Sequence, residues 1–347
     1  MGSLGCGFQF SSRRKHFALI QYRLTGTPWD CRSIFISISR MKKKEETPYK
    51  FKSIADAHRE FGLPGPKHPL ISLINGEQEG VTQIPSGTHV LNFYKISYKP
   101  NLRGRLRYGR DYYDFNEGGL IFAAPNQIMG KDVDQSVACE YSLFTLLVHP
   151  DFFIGHPIAR QIKEYGFFSY SANEALHVSQ EEKETMLSIF RMMETELGAR
   201  LDDFSQGVVI SQIALLLNFA DRFYHRQFLT QKVASHDITT QLEAHLQIYL
   251  NNDKNMGKGI PTVQSLAEVV HLSPSYLSDM LRSLTGRNAQ QFIHDKLIDK
   301  AKELLTTTTL SISEIAFILG FEYSQSFSRM FKTQTDLSPL AFRKSFN

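Results

Sequence analysis

A chain of 347 residues is long enough for two or three cores of ordinary size. With 42% hydrophobic residues, a mean hydropathy of -0.25 and no apolar run long enough to cross a bilayer, it reads as a soluble protein with no membrane partner. The N-terminus lacks a signal-peptide pattern, which points to the cytoplasm, and the three cysteines, Cys6, Cys31 and Cys139, form no CxxC pair, so neither a disulfide framework nor a structural zinc site is expected.

The formal charge of +4 does not itself indicate nucleic acid binding. Residues 1–40 hold six basic residues (Arg13, Arg14, Lys15, Arg23, Arg32, Arg40) against Asp30, so the remainder of the chain is slightly acidic. This leader has no sustained helical or strand period and is followed by Met41-Lys42-Lys43-Lys44, which reads as a native start. Residues 1–40 are therefore expected to be disordered or foreign to the natural product, the alternative being a basic arm on DNA phosphates.

From Leu70 to Val148 the pattern is one of short apolar or alternating runs. Ile71 to Ile74 stops at Asn75-Gly76, a hairpin signal, Val90 to Tyr98 at Lys99-Pro100-Asn101, Leu120 to Ala124 at Pro125-Asn126, and Tyr141 to Val148 at His149-Pro150. Strands at such spacing predict a small β-barrel or sandwich within residues 41–178.

Ser179 and Glu182 have capping-box spacing ahead of Met186, Ile189, Phe190, Met193 and Leu197, which recur at helical spacing. A second helix, from about Phe204 to Gln227, aligns Val209, Ile213, Leu216, Ala220 and Phe223 in a seam. The pair, within 179–232, reads either as a helical hairpin packed on its own barrel or as a dimer interface made by the same stripe. A polar stretch from Thr230 to Ser235 predicts a linker.

Residues 236–347 contain an internal repeat. Leu266, Ala267, Val270 and Leu272 match Ile315, Ala316, Leu319 and Phe321 at an offset of 49, whereas Leu277, Ser278, Met280, Leu281, Arg282 and Thr285 match Phe327, Ser328, Met330, Phe331, Lys332 and Thr335 at an offset of 50. A turn tolerates the extra residue where a helix would lose register, so each copy reads as a helix-turn-helix. The second helix of each copy buries Leu277, Met280 and Leu281, or Phe327, Met330 and Phe331. Its opposite face offers Ser275, Tyr276, Ser278, Asp279 and Arg282 in the first copy and Ser324, Gln325, Ser328, Arg329 and Lys332 in the second. Short polar and forked cationic side chains on a groove-sized helix suit base-edge and phosphate contacts. A continuous amphipathic helix from Asn288 to Leu305 joins the copies, stiff enough to hold two recognition helices in successive major-groove segments about 34 Å apart.

These motifs resemble the arabinose-regulator (AraC/XylS) family of transcription factors: Ile298-x-x-Ala301-x-x-Leu304-Leu305, Ile312-x-Glu314-Ile315-Ala316, Gly320-Phe321, Phe327-Ser328-Arg329-x-Phe331-Lys332, and Ser338-Pro339 with Arg343. The resemblance covers about a third of the chain. It implies an α+β multidomain protein: a C-terminal all-α domain of seven helices with two helix-turn-helix units, preceded by a cupin-like β-barrel that senses a ligand or dimerises. The partners it implies are double-stranded DNA, a small-molecule effector, a second copy of the chain in a homodimer, and RNA polymerase. Asp336 stands where the family commonly has glycine, and Phe342 where tyrosine is common.

Residues 236–347 balance eleven Lys and Arg against eleven acids, so affinity must depend on placement. Where the second copy has Arg329, the first has Asp279, which reads either as an acceptor for a cytosine amino group or as a partner of Arg282. The second unit is expected to supply more of the phosphate and guanine contact.

The competing class is a cupin-type metal enzyme with a helical appendage. Such sites use a clustered HxH with a carboxylate, and the chain has no HxH; His68, His89, His149 and His156 are isolated. GxSxG, Walker A and GxGxxG are also absent, so no enzyme activity, cofactor or metal is expected. Phe93, Tyr94, Tyr112, Tyr113, Phe115 and Phe122 either line an effector pocket or fill the barrel core.

Overall fold

A computed structural model describes residues 49–79, 89–100, 106–108, 111–113, 118–129, 142–171, 174–199, 202, 204–230, 232–252 and 258–346. The expected leader, residues 1–40, and Phe115 lie outside these residues, and the side chains of Tyr112 and Tyr113 are likewise not described.

Among the described residues the N-terminal part contains ten strands: β1 (Tyr49–Phe51), β2 (Ile71–Asn75), β3 (His89–Leu91), β4 (Tyr94–Lys99), β5 (Leu106–Tyr108), β6 (Asp111–Tyr113), β7 (Gly119–Ala123), β8 (Ile128–Met129), β9 (Phe144–Val148) and β10 (Leu176–His177). Five of them form an antiparallel sheet in the order β10-β7-β4-β9-β2, and β1-β3-β8 form a second sheet in which β1 and β3 are parallel. The expected barrel is not seen as a closed cylinder among the described residues, because β2 and β10 stand at opposite edges of the larger sheet. Asn75-Gly76 makes no hairpin: Gly76–Glu79 is a single helical turn, and β2 pairs instead with the distant β9, Ile71 opposite Val148. The run from Val90 to Tyr98 is broken into β3 and β4, while β7 and β9 lie within the expected runs to one residue.

The two faces of the larger sheet bury different partners, as strand alternation requires. One face presents Leu147 and Ile74 to Phe51 and Leu91 of the smaller sheet, to Phe93 between β3 and β4, and to Ile54 and Ala57 of α1 (Ile54–Glu60). The other presents Ile96, Tyr98, Phe122, Phe144 and Leu146 to two long helices, α2 (Gln180–Gly198) and α3 (Ser205–Thr230). Phe144 stacks on Phe190 of α2 with ring centroids 5.3 Å apart. Phe93, Tyr94 and Phe122 are thus core residues.

Helix α2 begins with the expected capping box, Ser179 accepting from the Glu182 N–H and Glu182 from the Ser179 N–H. The seam of α3 is fully spent inside the chain: Val209, Ile213, Leu216 and Ala220 are at most 1% exposed and Phe223 6%. Each such burial contributes about 1.5–3 kcal/mol for a large side chain, so this stripe packs within the chain. The expected linker is also different, since α4 (Lys232–Leu250) carries the chain onward as helix. Its Leu242 and Leu246 are buried against the C-terminal domain, so apolar contact outweighs the polar composition at its start.

Six further helices complete the C-terminal domain: α5 (Val263–Val269), α6 (Pro274–Thr285), α7 (Ala289–Thr307), α8 (Ile312–Ile318), α9 (Ser324–Thr335) and α10 (Pro339–Lys344). With α4 they make seven helices among the described residues, the number the sequence resemblance implied. The repeat is visible in the backbone, for α5 and α8 have seven residues each and α6 and α9 twelve. Thr262 and Ser311 cap α5 and α8 with the same box. The extra residue falls in the second turn, among Phe321, Glu322 and Tyr323. Each recognition helix ends on a left-handed residue, Gly286 at φ 75 and Asp336 at φ 60; aspartate tolerates a conformation for which glycine is the usual choice. Helix α7, about 28 Å long at 1.5 Å per residue, buries Phe292, Ile293, Leu297, Ile298, Ala301 and Leu305 between the two units.

Candidate nucleic-acid interface

The second unit presents its polar face to solvent. Phe327 and Phe331 are buried, and Met330 packs partly against the core, which turns the other side of α9 outward. Gln325, Arg329 and Lys332 are exposed and Ser324 and Ser328 half-buried. Among the described residues neither Arg329 nor Lys332 is in an ion pair. Tyr323 stands at the head of α9 without a side-chain cap, leaving the first amides of the helix unoccupied by a cap.

The first unit is covered. Of its five expected contact residues only Arg282 is exposed; Ser275, Ser278 and Asp279 are half-buried. The expected exposure of Tyr276 is not seen in this structure. Its ring is fully buried, edge-on to Tyr170 at 5.1 Å and to Phe228 at 5.0 Å, because an aromatic ring on that side of α6 meets the aromatic cluster of the N-terminal domain. Asp279 accepts from the Tyr170 hydroxyl at 2.8 Å and from Arg282 Nη1 at 3.0 Å, so the intrahelical pairing with Arg282 is formed. Burial, reinforced by the nearby Asp279 carboxylate, pushes the Tyr170 phenol well above its ordinary pKa, so it stays a donor.

Three residues of this contact have no sequence signal: Gly166, Tyr170 and Glu174. Glu174 is 1% exposed, and its carboxylate receives the Ser273 N–H at 2.6 Å and the Ser273 hydroxyl at 2.5 Å. Ser273 in turn caps α6 by accepting from the Tyr276 N–H. Gly166 lies so close that a Cβ there would be 2.0 Å from Asp279 Oδ2. Contacts across about a hundred residues of sequence leave no periodic trace.

Residues 266–345, spanning both units, match a helix-turn-helix domain family. The C-terminal part of the chain carries an AraC-type helix-turn-helix domain. It is similar to an HTH-type transcriptional regulator of Bacillus subtilis, YfiF, at 23% identity over 258 residues, covering 74% of this chain and 79% of the relative. A second Bacillus subtilis regulator, YobQ, is 26% identical over 119 residues, 34% of this chain and 46% of the relative, so the regulator spans less than half of that protein. Among solved structures it resembles the C-terminal domain of the response regulator yesN from Fusobacterium nucleatum, with 32% identity over 29% of this chain and 95% of that one, at a TM-score of 0.25. The DNA-binding domain of AdpA in complex with a target DNA is 24% identical over 32% of this chain and 91% of that one, at a TM-score of 0.27. The regulator is a DNA-binding transcription regulator, and among its described residues no helix is long and apolar enough to cross a membrane.

Proposed function

We propose that the regulator reads its operator with two recognition helices, α6 and α9, in successive major-groove segments of one duplex face. Gln325 and Arg329 would reach base edges, with Arg329 suited to a guanine O6 and N7, while Ser324, Ser328 and Lys332 fix the register on phosphates. Ser275, Ser278, Asp279 and Arg282 are the corresponding set of the first unit. The observation that carries this reading is the free, cationic polar face of α9 on a helix equal in length to α6 and joined to it by one stiff helix. Sequencing genomic fragments that co-purify with the regulator, followed by hydroxyl-radical footprinting, tests it. Two protected segments one helical turn apart are expected; a single segment in every fragment would contradict the two-unit grip.

Control belongs to the N-terminal domain. Lys95 lies on the face of β4 shared with Leu147 and Ala123, turned toward the smaller sheet, and burial together with Lys99 lowers its pKa to about 8. Such a desolvated ammonium suits a carboxylate-bearing effector between the sheets. Dimerisation would use the outer face of α3, where Phe204, Val208 and Leu215 are exposed, rather than its buried seam.

A further inference from the structure

We infer that Gly166, Tyr170 and Glu174 form an autoinhibitory latch on the first helix-turn-helix unit, in which the Glu174 carboxylate occupies the place of a DNA backbone phosphate. The inference rests on the DNA-binding reading above and adds how that binding is restrained.

A helix N-terminus directs amide hydrogens and a partial positive charge at whatever lies ahead of it, and phosphate oxygens of DNA commonly take that place at a recognition helix. At α6 the groups in question are the Ser273 N–H and hydroxyl, and both are given to Glu174, a buried carboxylate from the other domain. Glu174 is itself held in position: its carboxylate also receives the Ser171 N–H at 2.7 Å, and its carbonyl receives the Tyr224 hydroxyl of α3 at 3.1 Å. The second contact covers the reading face. Tyr170 donates to Asp279, its ring packs on Tyr276, and Gly166 leaves room for the Asp279 carboxylate, which a Cβ there would force to shift. These three residues of the N-terminal domain therefore engage both the phosphate-facing head and the base-facing side of α6.

Among the described residues the second unit has no counterpart to these contacts: Tyr323 at the head of α9 is 59% exposed, and Gln325 and Arg329 are open to solvent. The chain in this conformation can offer DNA one unit, and release of the latch supplies the other. The latch is anionic and buried, so DNA phosphate and Glu174 compete for the same donors. An effector or dimer contact that shifts α3 acts on the latch through Tyr224, which touches both the Glu174 carbonyl and the Tyr170 ring, the latter at 5.1 Å.

The test uses full-length wild type, Glu174→Gln and Tyr170→Phe, with two readouts. The first is hydrogen exchange at the Ser273 and Tyr276 amides without DNA, which both variants should accelerate. The second is affinity for a duplex selected by the wild-type chain from a random-sequence pool. Loss of a hydrogen bond to a charged group should shift the closed population enough to tighten binding about tenfold, with the segment under α6 protected at a correspondingly lower protein concentration than in wild type. Faster exchange with unchanged affinity and footprint would overturn the latch as a brake; unchanged exchange would overturn the contact itself. If Arg329→Ala also failed to weaken binding, the DNA-reading assignment beneath it would fall instead.

Discussion

His271 and Gly320 occupy the same place in the two turns of the repeat, and both carry the backbone through the left-handed region, at φ 56 and φ 86. The shared geometry is imposed by the tight reversal between the two helices of each unit. The residue types differ because the surroundings do: nothing crowds His271, which is exposed, whereas a Cβ at Gly320 would stand 2.3 Å from the Gly259 carbonyl oxygen. Gly320→Ala is expected to destabilise the chain by about 2 kcal/mol or more, since strain and a backbone clash add. His271→Gly should change stability by no more than about 1 kcal/mol. Urea unfolding of both variants checks the contrast.

Arg343 is quoted among the motif residues of the second unit, and its position is structural. It donates from Nε to the Leu305 carbonyl at 3.2 Å and from Nη2 to the Leu310 carbonyl at 2.6 Å, closing the C-terminal end of α7 onto the approach to α8. Arg343→Met keeps much of the apolar stem and removes the donors. It is expected to cost about 1.5–3 kcal/mol of stability. DNA contacts of α9 should survive wherever the fold does, which affinity measured well below the melting temperature would reveal.

His177 sits at the end of the five-stranded sheet, 6% exposed, and burial, with the positive charge of Arg226 adding to it, lowers its pKa to about 4. In the unfolded chain it takes up a proton near its ordinary value of 6.5, while the folded chain keeps it neutral down to about 4. Stability therefore falls as pH drops through that window, by at most about 3 kcal/mol from this residue. His177→Gln should flatten the difference in melting temperature between pH 7 and pH 5. An identical pH dependence in wild type and variant would remove His177 as the cause.

The C-terminal domain is legible in the sequence because its signals are local. Ser311 and Glu314, Asn288 and Gln291, and Ser273 with Pro274 mark helix starts within a single turn of chain, and the offset change from 49 to 50 locates the turn itself. The N-terminal domain is less so. Strands such as β2 and β9 pair across seventy residues, and alternation names the strand but not its partner, which is why Asn75-Gly76 reads as a hairpin that the fold does not make. Residues Ser324, Gln325, Ser328, Arg329 and Lys332 stand together on one helix face because helical spacing alone dictates it. The burial of Tyr276 and the grip of Glu174 on Ser273 are not legible, since both arise from the packing of one domain against another.

The most direct measurement is the affinity of full-length Arg329→Ala and Lys332→Ala for a selected duplex at two salt concentrations. Arg329→Ala is expected to weaken binding by about 1–3 kcal/mol and to relax preference at one base pair, while Lys332→Ala lowers the salt slope by about one and leaves sequence preference intact. Wild-type affinity, preference and salt slope in both variants would contradict a groove-bound α9.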